Sequence, residues 1–179
     1  KVLLNIAAAT GKPMIYKGIC PGYHLEKTLN VLQKSVFIYI KRDPVDVACS
    51  LLKARRAYYN DPDLWWSMYP EQYEQIKDLP YDEQIPAQVH YLKEQYEKPM
   101  SKEEVLGRTL IVDYKDFCEN PIKIIEQLTQ KLSELFGYKL QQTVNTTTKK
   151  FKGHSYDHSQ IEYQELKKGL DQYFFNPEV

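Results

Sequence analysis

Along the chain, short runs of apolar residues alternate with longer segments in which apolar residues recur every three or four positions, the spacing of one helix face. Residues 36–40 are five consecutive apolar or aromatic positions, and residues 109–114, which contain the apolar stretch Leu110 to Val112, form the next predicted buried strand. Runs of this length, rich in β-branched residues, are typical of strands buried on both faces. Residues 14–17 follow Pro13 and are predicted as a third, shorter strand. Because helical segments separate the runs, the pattern predicts an α/β fold with right-handed parallel crossovers.

The helical stripes lie between these strands and after them. Leu25, Leu29 and Leu32 predict a short helix before the central strand, and a longer stripe from Ile85 to Tyr96 predicts a helix in which His90 faces solvent. Pro80 and Pro86 are expected to bound a turn before that helix. The remaining predicted helices cover residues 2–9, ended by Gly11, residues 121–136, ended by Gly137, and residues 160–174.

The turn after the central strand combines several helix-start signals. Pro44 suits the first helical position, Asp43 suits the N-cap, and Asp46 adds an acidic first turn. Arg42 therefore lies at the carboxyl end of a strand, where open α/β sheets bind their ligands. Ser50 lies two turns into the helix, on the same face as Asp46. Two interpretations stay open: a structural turn, or an anion site made by the guanidinium, the hydroxyl and backbone N–H groups.

The composition excludes some classes of protein for this chain. The chain has 179 residues, enough for one domain, and 24 basic residues balance 24 acidic ones, which argues against a general nucleic-acid or membrane-surface binder. No apolar run approaches transmembrane length. Cys49 and Cys118 fall in predicted core elements, so we expect buried free thiols, a reducing compartment and a cytoplasmic location. The chain begins with Lys rather than Met, so it is expected to start inside a larger protein.

The sequence Arg42-Asp43-Pro44-x-Asp46-x-x-x-Ser50 after a hydrophobic strand resembles the 3′-phosphate-binding motif of sulfotransferases. In that family the Arg and Ser hold the 3′-phosphate of the sulfate donor, 3′-phosphoadenosine 5′-phosphosulfate. The resemblance implies a three-layer, P-loop-like fold, with a parallel sheet of at least three strands flanked by helices. It covers roughly residues 13–153, within a single domain that spans residues 1–179.

Two later segments match the same family. Tyr114-Lys115-Asp116-Phe117 resembles the family sequence whose Tyr lies near the adenine, so the resemblance assigns Tyr114 to the adenine pocket. Lys152 and Gly153 lie in the only dense basic run, which resembles the late basic loop that touches the 3′-phosphate. The alternative for this run is a solvated loop.

The catalytic residues are also implied by the resemblance. Lys17 ends the predicted first strand and would stabilise the oxygen that bridges sulfur and the leaving phosphate. The family's general-base histidine is replaced by Ile19, and His24 is the nearest substitute, unless it is a surface residue. The family's Pro-Lys-Ser-Gly-Thr-Thr loop, which cradles the phosphosulfate, is absent from this sequence. The domain is therefore expected to be N-terminally incomplete, and the chain alone is expected not to turn over the donor.

The segment from about residue 58 to residue 100 is rich in aromatic residues and is predicted as a helical insertion. Its aromatics either bury the insertion against the core or form a wall for the acceptor. The resemblance implies sulfuryl transfer to a hydroxyl or amine of a small-molecule or carbohydrate acceptor, without a metal. Two alternatives remain: a non-catalytic, nucleotide-binding sulfotransferase-like module, and a nucleotide kinase of similar fold, which would need magnesium.

Overall fold

The computed structural model describes residues 2–11, 13–18, 20–139 and 150–175. These residues form two strands, nine α-helices and two short 3₁₀ turns, at Cys20–His24 and Lys98–Ser101. The bounds are α1 Val2–Thr10, α2 Leu25–Val31, β1 Phe37–Lys41, α3 Pro44–Tyr59, α4 Tyr73–Ile76, α5 Tyr81–Glu97, α6 Glu103–Gly107, β2 Thr109–Asp113, α7 Tyr114–Glu119, α8 Pro121–Phe136 and α9 Ile161–Phe175.

The two strands pair in parallel, with Phe37 opposite Thr109 and Lys41 opposite Asp113. The predicted mixed α/β class and the two long strands are therefore confirmed. The predicted strand at residues 14–17 is wrong, because these residues have no strand assignment and the sheet in the described part of the chain has two strands rather than three. A strand needs a neighbour to pair with, and no described strand pairs with this segment, where Ile15 is 85% exposed.

The main core lies where α3, α5 and α9 pack together. Its buried residues are Ala48, Cys49, Leu52, Ile85, Val89, Tyr163, Leu166 and Leu170. A second, smaller core packs α2, α6 and the 3₁₀ turn at Lys98–Ser101 against Phe37 and Tyr39 of β1. The predicted burial of Cys49 and Cys118 as free thiols is confirmed.

Two expectations about α5 are wrong. Pro86 lies inside the helix rather than before it, and it is buried. His90 does not face solvent: its side chain is 13% exposed and stacks on the Tyr173 ring of α9, with 5.0 Å between centroids. In both cases tertiary packing against α9 decides the environment, and a pattern read along α5 alone does not contain that partner.

Candidate functional site

The turn between β1 and α3 is held by the cap that the sequence predicts. The Asp43 carboxylate accepts hydrogen bonds from the backbone N–H groups of Val45 and Asp46, at 2.9 and 3.1 Å. Pro44 occupies the start of the helix, where its missing N–H is no loss. This cap fixes the backbone directly after β1, and it therefore fixes where the Arg42 side chain begins.

The Arg42 guanidinium is surrounded by three different parts of the chain. Its Nη2 donates to the backbone oxygen of His154 at 2.9 Å, across 112 positions of sequence. The guanidinium carbon lies 4.8 Å from the centroid of the Tyr114 ring, at cation–π distance. Its Nε lies 3.8 Å from an Asp46 carboxylate oxygen, which is an ion pair but is beyond hydrogen-bond length. Arg42 thus joins the ends of both strands to residues 151–156, which we call the late loop.

The late loop is fastened at both ends. At its start, the N–H of Phe151 donates to the Cys118 carbonyl at 2.9 Å, and the Phe151 ring stacks on Phe117. At its end, the N–H of Tyr156 donates to an Asp46 carboxylate oxygen at 3.4 Å. These contacts place the stretch between them against Arg42, next to the carboxyl ends of β1 and β2.

A cavity of about 390 Å³ opens at this edge of the sheet. Its volume lies within the range of roughly 300–1,000 Å³ that is usual for ligand sites. The lining residues come from the two strand ends, the starts of α3 and α7 and the late loop: Lys41, Arg42, Asp43, Asp46, Asp113, Tyr114, Lys115, Gly153, His154 and Ser155. We call this the anion cavity, because three basic side chains meet there.

Three carboxylates also line the anion cavity, and each of them already accepts a hydrogen bond from a backbone N–H group. Asp43 caps α3, and Asp46 accepts from the N–H of Tyr156. Asp113 caps α7 by accepting from the N–H of Lys115 at 2.8 Å. Lys41 and Lys115 are exposed, so their ammonium groups can turn toward a ligand. The arrangement therefore suits a small anion held by mobile ammonium groups and one fixed guanidinium.

The seven predicted site residues divide into two groups. Arg42, Tyr114 and Gly153 line the same cavity. Lys152 is adjacent in sequence but is exposed and is not among the residues that line it. The other three, which are also exposed and outside that lining, are Lys17, His24 and Ser50.

Sequence reasoning missed several lining residues. Lys41, Asp113 and Lys115 lie at or just after strand ends, so the rule that singled out Arg42 could have found them. His154 and Ser155 reach the cavity only because the late loop packs on α7. No local signal in the sequence indicates that contact.

Among the described residues, no group of three or more His, Cys, Asp or Glu side chains is placed to hold a metal ion. None of the described helices is both long enough and apolar enough to span a bilayer. Comparisons with protein-family models, curated proteins and solved structures give no match to this chain.

Proposed function

We propose that the anion cavity binds the 3′-phosphate of 3′-phosphoadenosine 5′-phosphosulfate and that the protein is a sulfotransferase. One observation carries the proposal. Arg42, Tyr114 and Gly153 were singled out by three separate sequence motifs, and all three line one cavity. The motifs are far apart in sequence, so their meeting in one place is a product of the fold rather than of proximity along the chain.

The residues present fit a phosphate ligand. A guanidinium has five N–H groups, so the bond from Arg42 to His154 leaves donors for a bidentate contact with phosphate oxygens. Lys41 and Lys115 add positive charge at the cavity rim. The Tyr114 ring lies beside Arg42, where it can pack against a flat base next to the bound phosphate. The proposal includes a three-layer, P-loop-like architecture, to which the β1–β2 sheet would belong.

The donor, when bound, supplies an activated sulfuryl group, and this chain contributes charge and orientation. By the resemblance, Lys17 would stabilise the leaving oxygen and His24 would accept a proton. Both residues lie outside the lining of the anion cavity. That placement favours the second candidate function, a module that binds the nucleotide without catalysing transfer.

Titration calorimetry tests the proposal on the full 179-residue chain. We expect 3′-phosphoadenosine 5′-phosphate to bind about ten- to a hundredfold more tightly than adenosine 5′-phosphate, since a charge-assisted contact contributes roughly 1.5–3 kcal/mol. Adenosine 2′,5′-bisphosphate is the control, because it carries the same charge at a different position. Equal affinity for all three nucleotides would contradict the proposal, and tight binding of magnesium–ATP would indicate a kinase-like site instead.

A further inference from the structure

A second cavity, of about 260 Å³, adjoins the anion cavity and shares Lys41 and Arg42 with it. Most of its walls are apolar. Val47 and Leu51 of α3 and Val89 and Leu92 of α5 belong to these walls. We call it the apolar cavity; its remaining lining residues are Tyr39, Ile40, Pro44, Ser67, Met68, Lys93, Tyr96 and Glu97.

One wall of the apolar cavity is held in an uncommon backbone conformation. Ser67 has a φ of 78°, which non-glycine residues rarely adopt. The fully buried side chain of Gln88 donates to the carbonyls of Trp66 and Met68, the two neighbours of Ser67, at 2.8 and 3.0 Å. Gln88 in turn accepts from the buried Arg55 at 3.0 Å. Residues in uncommon backbone conformations, such as Ser67, persist where the surrounding structure fixes them, and they cluster at ligand sites.

The polar end of the apolar cavity lies beside the anion cavity. The Glu97 carboxylate accepts from the Tyr39 hydroxyl at 3.2 Å and from Lys93 at 2.7 Å. Lys41, which lines both cavities, lies 3.9 Å from the same carboxylate. A carboxylate has about four lone-pair sites, so Glu97 can accept a further hydrogen bond from a ligand.

We propose that the apolar cavity binds the acceptor of the sulfuryl group, and that this acceptor has an apolar body of about one ring with a hydroxyl or amine that donates to Glu97. The assignment as an acceptor site rests on the function proposed above. The size is appropriate, because an apolar cavity of about 150 Å³ is enough to bind benzene. The shared residues Lys41 and Arg42 would bring acceptor and donor side by side.

Methionine methyl NMR tests this site on the full chain. The chain has three methionines, and Met68 lines the apolar cavity whereas Met14 and Met100 do not. We expect phenol and benzylamine to shift the Met68 methyl resonance saturably, with little change at the other two. Anisole has no donor for Glu97 and should bind about tenfold more weakly, as expected for losing a hydrogen bond to a charged group.

A substitution that fills the apolar cavity is compared with a matched substitution outside it. Leu92→Trp should abolish the Met68 response to phenol, whereas Leu106→Trp, at a leucine 46% exposed and outside both cavities, should retain it. An unchanged Met100 resonance reports that each variant is folded. Should Leu92→Trp fail to fold, an intermolecular NOE between phenol and the Met68 methyl group in the unmodified chain gives the same answer.

The outcomes separate this inference from the proposed function. A saturable Met68 response that Leu92→Trp removes, in a chain that binds 3′-phosphoadenosine 5′-phosphate, supports the acceptor site. Nucleotide binding without a Met68 response, or without the NOE, overturns the acceptor site alone. A Met68 response in a chain that does not bind the nucleotide overturns the proposed function and, with it, the acceptor role.

Discussion

Arg42 has structural contacts of its own, which must be separated from the binding role proposed for it. Its bond to the His154 carbonyl and its packing on Tyr114 hold the late loop against the sheet. The same guanidinium lines both cavities. Replacing it therefore disturbs the loop as well as any phosphate contact, and a loss of affinity alone would not identify its role. The comparison needs two ligands that differ only in the phosphate.

At the scale of a residue, the burial of His90 predicts how the stability of the fold changes with pH. Burial lowers the pKa of His90, while Glu94 at 3.5 Å partly opposes that effect. The folded state therefore binds this proton less well than the unfolded state, in which a histidine has a pKa of about 6.5. Its contribution to stability should be fully present above about pH 6.5 and should decrease as the pH falls below that value.

Urea unfolding followed between pH 7.5 and pH 5.5 measures this effect. His90→Phe retains an aromatic ring against Tyr173 but does not titrate, so it should lose less stability over this range than the unmodified chain. His24→Asn, at an exposed histidine, should behave like the unmodified chain. An identical pH slope in His90→Phe and the unmodified chain would contradict the explanation.

At the scale of elements, the contact between α5 and α9 depends on a close approach. A Cβ at Gly169 of α9 would lie 2.6 Å from Pro86 Cγ and 2.7 Å from the Asp82 carbonyl oxygen. Pro86 has no N–H to donate to that carbonyl within α5. The proline and the glycine therefore fit each other, and the absence of a side chain at residue 169 lets the two helices pack.

Gly169→Ala should accordingly destabilise the protein by about 1–3 kcal/mol, the usual cost of overpacking a filled core. Gly107→Ala is the matched control, because nothing lies within 4 Å of its added Cβ. In α6 that alanine should be neutral or slightly stabilising, since alanine is the better helix former. Chemical denaturation of both variants measures the difference. Equal stabilities for the two variants would mean that the α5–α9 approach is looser than described.

Elements with strong local signals were the predictable part of the fold. The apolar run before Arg42, the Asp43 cap and Pro44 together specify β1 and the start of α3 without any distant partner. Gly137 likewise ends α8 in the left-handed conformation. The strand expected at residues 14–17 had no comparable support, because a strand is defined by its partner. Pro86 lies inside α5 because α9 packs there, which the α5 sequence alone does not show.

At the scale of the whole molecule, the site is assembled from segments that are distant in sequence. The position of Arg42 at the end of a strand predicted it at the ligand edge of the sheet, and the resemblance added Tyr114 and Gly153; all three line the anion cavity. The apolar cavity was not predicted, because Gln88 and Ser67 meet only through the packing of α5 against the segment that precedes α4. The motifs along the chain led to the proposed phosphate site, whereas the apolar cavity depends on tertiary packing.

A four-way calorimetric comparison tests whether Arg42 binds a 3′-phosphate. The titrations combine the unmodified chain and Arg42→Ala with 3′-phosphoadenosine 5′-phosphate and adenosine 5′-phosphate. Arg56→Ala is the control for removing an arginine, because Arg56 lies in α3 and its partner is Glu162 at 2.6 Å rather than a cavity residue.

We expect Arg42→Ala to weaken binding of the bisphosphate by about ten- to a hundredfold, as for the loss of a charge-assisted bidentate contact. Adenosine 5′-phosphate should lose less than about threefold, because the mutation and the missing phosphate remove the same interaction and do not add. Arg56→Ala should change neither affinity. An equal loss for both nucleotides in Arg42→Ala would show that Arg42 only anchors the late loop, and the proposed phosphate site would be wrong.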